Sequence, residues 1–149
     1  MSEIKKRLST IIESPTFGKE EKLQKICHLL DQEMEHFNWT GFYFRNGEKE
    51  ELVLGPYVGA ETDHTVIPFG KGICGQVAVS GETFVVPDVQ AQDNYLSCSI
   101  DTKSEIVVPI FKNGKNIGQI DIDSHKLDPF TTEDKEMLEW LCNEVSKIL

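Results

Sequence analysis

The sequence lacks most of what would assign it to a membrane, a nucleic acid or a metal. No apolar run approaches the roughly 20 residues of a membrane helix, and the first residues carry no secretory-signal pattern. Both absences lead to the expectation of a cytoplasmic protein with no membrane partner. Positive charge is scarce: 15 Lys and Arg against 25 Asp and Glu leave a net charge of −10. Such a surface repels a phosphate backbone, so no nucleic-acid partner is expected. The four cysteines, Cys27, Cys74, Cys98 and Cys142, include no C-x-x-C pair, which argues against a zinc knot. In a reducing cytosol such cysteines are packing residues or working thiols more often than structural disulfides. The glycines around Lys71 are not a phosphate loop, because the longer glycine spacing ending in Lys-Ser or Lys-Thr is missing. Internal repeats, low-complexity tracts and linkers are absent too, and neither a metal nor a cofactor is expected.

What is present fits one domain over 1–149, with 1–37 as N-terminal helices and 38–149 as sheet, pocket and C-terminal helix. Ile4, Leu8, Ile11 and Ile12 repeat at helical spacing until Ser14-Pro15 breaks the pattern. From about Lys19 a longer helix presents Leu23, Ile26, Cys27, Leu30 and Met34 on one face, and His28 and His36 read as its surface. Thr131-Thr132-Glu133-Asp134 starts a last helix with Leu138, Leu141, Cys142, Val145 and Leu149 as its stripe. Cys27 and Cys142 therefore read as core residues.

Strands are expected over 38–44, 52–57, 65–67, 83–86, 105–111 and 116–124. In the first, Trp39, Gly41 and Tyr43 share one face and Thr40, Phe42 and Phe44 the other. The glycines of 70–75 suggest a tight turn into a short helix, and 87–97 a polar loop. The last two strands form a hairpin around Asn113-Gly114. A two-residue turn would pair Ile106 with Asp121 and mix polar and apolar faces. An odd loop, Lys112-Asn113-Gly114, pairs Ile106 with Ile120 and is expected instead. It makes one face apolar and sets Glu105 opposite Asp121, with Asp123 on the same face.

Three carboxylates on one face repel one another and raise at least one pKa, giving an acid able to hold a proton near neutral pH. Cys98 precedes them on a loop outside any apolar stripe, as a candidate nucleophile. No histidine lies near it in sequence, so a cysteine–histidine hydrolase is poorly supported. Negative charge around a thiol suits a substrate that brings a positive group and accepts a proton, and an amino-acid sulfoxide fits. Trp39 and Tyr43 read equally as a slot for a methyl group or as plain core. The acids read as this site or as a solvated acidic face.

Asn38-Trp39-Thr40-Gly41-Phe42-Tyr43, Leu54-Gly55-Pro56, Gly70 through Gly75, Cys98 through Pro109 and Asp121-Ile122-Asp123-Ser124 together resemble the free methionine-(R)-sulfoxide reductases, which are GAF-domain enzymes. The likeness runs from about Asn38 to the end. It implies an α+β, GAF-like fold: a six-stranded antiparallel sheet with helices packed on one face and a ligand pocket on the other. It also implies roles. Cys98 matches the catalytic cysteine and Cys74 a second family cysteine. Glu105, Asp121 and Asp123 match the carboxylates that hold the sulfoxide oxygen and the substrate ammonium, Glu105 and Asp123 acting in catalysis as well as binding. Trp39 and Tyr43 match the aromatic pocket for the methyl. Many members carry a third cysteine ten residues before the second, where this chain has His64. The implied reaction is reduction of free methionine-(R)-sulfoxide through a sulfenic acid on Cys98, with thioredoxin as the recycling partner. With His64 in place of the third cysteine, the sulfenic acid is expected to condense with Cys74 to a disulfide, the alternative being direct reduction of Cys98 by an external thiol. A non-catalytic GAF sensor or binding module is the alternative. Association into a homodimer is left open.

Overall fold

The computed structural model describes residues 2–97 and 99–149, so the expected position of Cys98 on an accessible loop lies outside the described residues. Three amphipathic helices form where the apolar spacing places them: α1 Glu3–Glu13, α2 Lys19–Glu33 and α4 Thr132–Ser146, with the short α3 Gly72–Ser80 between α2 and α4 in the chain. The start of α4 is fixed by a reciprocal pair. The Asp134 amide donates to Thr131 Oγ1 at 3.0 Å, and the Thr131 amide donates to Asp134 Oδ2 at 3.0 Å. The same buried Asp134 oxygen lies 2.7 Å from His36 Nε2. His36 is therefore not a surface residue of the long helix, which ends at Glu33; it ties the chain beyond α2 to the cap of α4.

The strands are β1 Trp39–Arg45, β2 Glu51–Val58, β3 Val66–Pro68, β4 Phe84–Val86, β5 Ser104–Lys112 and β6 Lys115–Ser124. They form one six-stranded antiparallel sheet in the order β3-β2-β1-β6-β5-β4. Against one face, α1, α2 and α4 bury Leu8, Ile26, Phe42, Ile106, Ile122 and Leu138. Trp39, Tyr43, Ile67, Val77 and Val107 form a second core on the opposite face. Both expectations from the two-residue period of β1 hold: Phe42 packs in the first core, Trp39 and Tyr43 in the second. One refinement is needed. Helices do not pack on one face alone, because α3 lies on the second face over β5 and β6. Its segment Gly-Ile-Cys-Gly-Gln-Val-Ala-Val-Ser is apolar nearly all round, so it can be buried without a solvent side. No helix among the described residues is long and apolar enough to cross a membrane.

The β5–β6 hairpin corrects the expected register. Asn113 and Gly114 both have positive φ, 53° and 75°, and Lys112 pairs directly with Lys115. This is the two-residue turn that the face pattern argued against, and Asn-Gly is the pair that favours it. The conflict between turn and faces is resolved by a bulge between Ile110 and Phe111. Beyond it Ile106 pairs with Ile122 rather than Ile120, and Glu105 with Asp123 rather than Asp121. The sorting of faces survives because the partners differ from expectation by two residues, a full period. Ile106, Ile120 and Ile122 belong to the helix-packed core. Glu105 and Asp121 line a cavity on the other face.

Candidate active site

Period-two alternation places Glu105 and Val107 on the second face of β5, and Gln119, Asp121 and Asp123 on the second face of β6. Here α3 brings Cys74 over the strands. All of these side chains are buried: relative exposure is 5% for Glu105, 2% for Asp121 and Asp123, and 4% for Cys74. The solvated acidic face is thereby set aside. Cys74 Sγ and one oxygen each of Glu105 and Asp121 lie within 4.8 Å of one another. Glu105 lies within hydrogen-bonding reach of both Asp121 and Asp123, and Asp121 within reach of Cys74. The spacing of Cys74, Glu105 and Asp121 is also one in which a divalent cation could be held.

Burial dominates the electrostatics. It raises the Asp121 carboxyl, against hydrogen bonding with Glu105 and Cys74 that lowers it. It raises Asp123 well above the ordinary carboxylate range, helped by the charge of Asp121 and opposed by hydrogen bonding with Glu105. Burial, then Asp121, then Glu105 push the Cys74 thiol far up, so Cys74 is a protonated thiol in the resting site. Oδ1 of Asp121 and Oδ1 of Asp123 are buried with no hydrogen-bond partner among the described residues. A buried carboxylate oxygen left in this state is costly unless a ligand supplies a donor.

These shifts set a pH dependence. The unfolded chain gives up the Asp121 and Asp123 protons near pH 4, whereas the folded chain holds them to higher pH. Folding therefore takes up protons, and stability falls as pH rises above about 4 through the folded pKa values. The ligand-free protein is expected to have a lower melting temperature at pH 8 than at pH 6. Asp123→Asn should raise the pH 8 value and flatten the slope. Thermal melts of both proteins across that range check this. The variant comparison separates these groups from the general self-repulsion of an acidic chain.

The aromatic residues sit as the face pattern expects. The Trp39 ring stacks on Tyr57 at 5.4 Å and lies 6.3 Å from Tyr43, and Trp39 Nε1 donates to the Ala60 carbonyl at 3.0 Å. Gly41 between them leaves the space. A Cβ there would come within 2.5 Å of the Trp39 ring and 2.7 Å of Tyr57 Cβ. Tyr43 Oη donates to the His64 carbonyl at 2.8 Å.

The site residues divide between two chambers. Tyr43, His64, Lys71, Cys74, Glu105 and Asp121 line a cavity of about 10 Å³, room for one water-sized group. Trp39 and Asp123 line another of about 150 Å³, with Asn38, Thr102 and His125. Glu105, bonded to both aspartates, links the two. Sequence reasoning missed Gln119, whose Nε2 donates to the Cys74 carbonyl at 3.0 Å and holds α3 to β6. Its place two residues before Asp121, on the same face, was the available signal. It also missed Tyr57 and Asn94, which no local pattern marks, and gave no role to Lys71 within the 70–75 glycine segment.

A six-stranded antiparallel sheet in the order β3-β2-β1-β6-β5-β4, with three helices on one face and α3 over the other, is the architecture of a GAF domain. Residues 19–149 match the GAF domain family, and the chain belongs to it. Within it, the chain belongs with the free methionine-R-sulfoxide reductases. It is 46% identical over 124 residues to the free methionine-R-sulfoxide reductase of Saccharomyces cerevisiae, covering 82% of this chain and 68% of that one. The structure of the Neisseria meningitidis free methionine-R-sulfoxide reductase in complex with its substrate superposes with a TM-score of 0.89 at 34% identity, covering 97% of this chain and 84% of that one. The reduced form of the Staphylococcus aureus enzyme gives 0.89 at 38% identity, covering 98% and 92%.

Proposed function

We propose that this chain reduces free methionine-(R)-sulfoxide to methionine, with Cys98 as the nucleophile. The observation that carries the reading is the buried trio Glu105, Asp121 and Asp123, with an oxygen on each aspartate that has no hydrogen-bond partner among the described residues. Burial raises the Asp123 carboxyl well above the ordinary carboxylate range, and a proton carried there serves the sulfoxide oxygen. The remaining negative charge receives the substrate ammonium. Trp39 and Tyr43 supply the apolar wall for the methyl, and the two chambers join around Glu105 to admit the amino acid.

In the first step the Cys98 sulfur attacks the sulfoxide, the S–O bond breaks, and the oxygen ends on Cys98. Methionine sulfoxide and a thiol become methionine and a sulfenic acid. In the second step the Cys74 thiol condenses with that sulfenic acid, forming a disulfide and releasing water. Thioredoxin then returns both cysteines to thiols by taking the disulfide.

The test is consumption of free methionine-(R)-sulfoxide with dithiothreitol, which bypasses recycling. Turnover of the free amino acid is expected, with methionine sulfoxide inside a peptide turned over far more slowly. The amide removes the ammonium and leaves buried acids unpaired, at about 1–3 kcal/mol per group or roughly 5- to 150-fold in kcat/KM. Equal turnover of both substrates would contradict the assigned role of the carboxylates. No turnover of either would favour a non-catalytic binding module.

A further inference from the structure

Residues 94–97 approach Cys98 in the chain and are fixed to the pocket wall at three successive points. The Asn94 side chain reaches the turn before α3 with both ends of its amide. Oδ1 accepts from the Gly72 amide at 2.8 Å, and Nδ2 donates to the Gly70 carbonyl at 2.7 Å. The partners dictate the amide's orientation, since an N–H needs an acceptor and a carbonyl needs a donor. Gln76 Nε2 adds a bridge, donating to both the Gly72 and the Asn94 carbonyls at 3.0 Å. Leu96 closes over Gly72, where a Cβ would come within 2.9 Å of Leu96 Cγ. Ser97, the residue before Cys98, is held by its carbonyl: His64 Nε2 lies 2.9 Å away and must carry the proton, because a carbonyl only accepts. His64 is itself anchored. Its amide donates to Thr62 Oγ1 at 3.1 Å, and its carbonyl accepts from Tyr43 Oη.

We infer that Asn94 and His64 are positioning residues for the nucleophile. Together they form a two-point clamp that fixes the chain entering Cys98 against the turn leading to Cys74 and against the wall of the pocket. The inference rests on Cys98 being the nucleophile. Asn94 is solvent-exposed, and an exposed side chain that makes two short, oppositely directed backbone bonds across 22 and 24 residues of sequence is placed for geometry rather than for core packing. Misplacing a reacting atom by about 1 Å can cost roughly 100-fold in rate with little effect on binding. The clamp therefore acts on kcat, and the carboxylates it does not touch continue to set KM.

Steady-state kinetics on free methionine-(R)-sulfoxide with dithiothreitol test this, with a thermal melt of each variant. Asn94→Asp keeps the size and the acceptor for Gly72 but places an oxygen against the Gly70 carbonyl. His64→Ala removes the donor to Ser97, and His64→Gln restores an N–H near the position of Nε2. Asn94→Asp and His64→Ala should each lose between about 10- and 100-fold in kcat, with KM changed less than about threefold and folding intact. His64→Gln should recover most of the His64→Ala loss. Wild-type kcat in both Asn94→Asp and His64→Ala, beside an inactive Cys98→Ser, overturns the clamp alone. Failure of Gln to rescue Ala at position 64 likewise overturns the His64 half. Should Asn94→Asp not fold, the His64 pair decides. Activity retained in Cys98→Ser removes the nucleophile assignment itself and is thereby distinguished from both.

Discussion

Cys98→Ser should abolish turnover of free methionine-(R)-sulfoxide even with dithiothreitol, by about 10³-fold or more, as expected for loss of a nucleophile. Cys27→Ser and Cys142→Ser should retain near wild-type rates. The reason lies in the three described thiols. Cys27 is buried on the helix-packed side with Sγ 3.6 Å from the Pro56 carbonyl, and burial pushes its pKa up. Cys142 is buried against the Val108 carbonyl at 3.6 Å, again pushed up by burial. Neither faces the carboxylate pocket. Cys74 does, but burial, Asp121 and Glu105 hold it as a thiol. The thiol that opens the reaction needs thiolate character, and burial disfavours it at rest in all three. The fourth cysteine, Cys98, is left, and the sequence sets it seven residues before Glu105. Initial rates of the four single variants check this, with Cys74→Ser active under dithiothreitol because it acts after the first step.

Asp121→Asn and Asp123→Asn should each lower kcat/KM by roughly 30- to 5,000-fold, equivalent to about 2–5 kcal/mol for removing one partner of a buried charged hydrogen bond. Both aspartates carry a buried oxygen without a partner among the described residues, which the substrate ammonium would complete. The same change acts in the opposite sense on the ligand-free protein. Removing a carboxyl that burial penalises should stabilise the fold at pH 8, because the cost of ionising it disappears. A variant more stable and less active than the parent is what a site held under electrostatic stress produces. Kinetics and thermal melts on the same preparations check both signs. An Asp123→Asn protein with unchanged kcat/KM would remove Asp123 from the site.

The fold and the site were unequally legible in the sequence. Apolar spacing marked the helices, and period-two alternation sorted Glu105, Asp121 and Asp123 from Ile106, Ile120 and Ile122. Strand partners were less legible. The bulge between Ile110 and Phe111 moves the register, and a bulge leaves no mark in a pattern of alternating residues. The side of the sheet taken by α3 was hidden as well, because a short segment apolar all round has no amphipathic face to read. The clamp was least legible. Asn94 meets Gly72 22 residues away and His64 meets Ser97 33 residues away, and only the folded chain brings such pairs together. The carboxylates were recognisable as a cluster, but their burial, which converts acidity into held protons, became visible only with α3 in place.

One equivalent of free methionine-(R)-sulfoxide, added to the fully reduced protein without any reductant, tests the central claim most directly. Methionine released is quantified by chromatography, and the cysteine peptides are mapped by mass spectrometry. The expected result is about one methionine per chain, with Cys98 joined to Cys74 and Cys27 and Cys142 still free. Formation of that bond requires the two α-carbons to come within roughly 7 Å after oxidation. A stable sulfenic acid on Cys98 beside a free Cys74 would retain the nucleophile and reject Cys74 as its partner. No methionine released, or methionine released with Cys98 still a free thiol, would contradict the account.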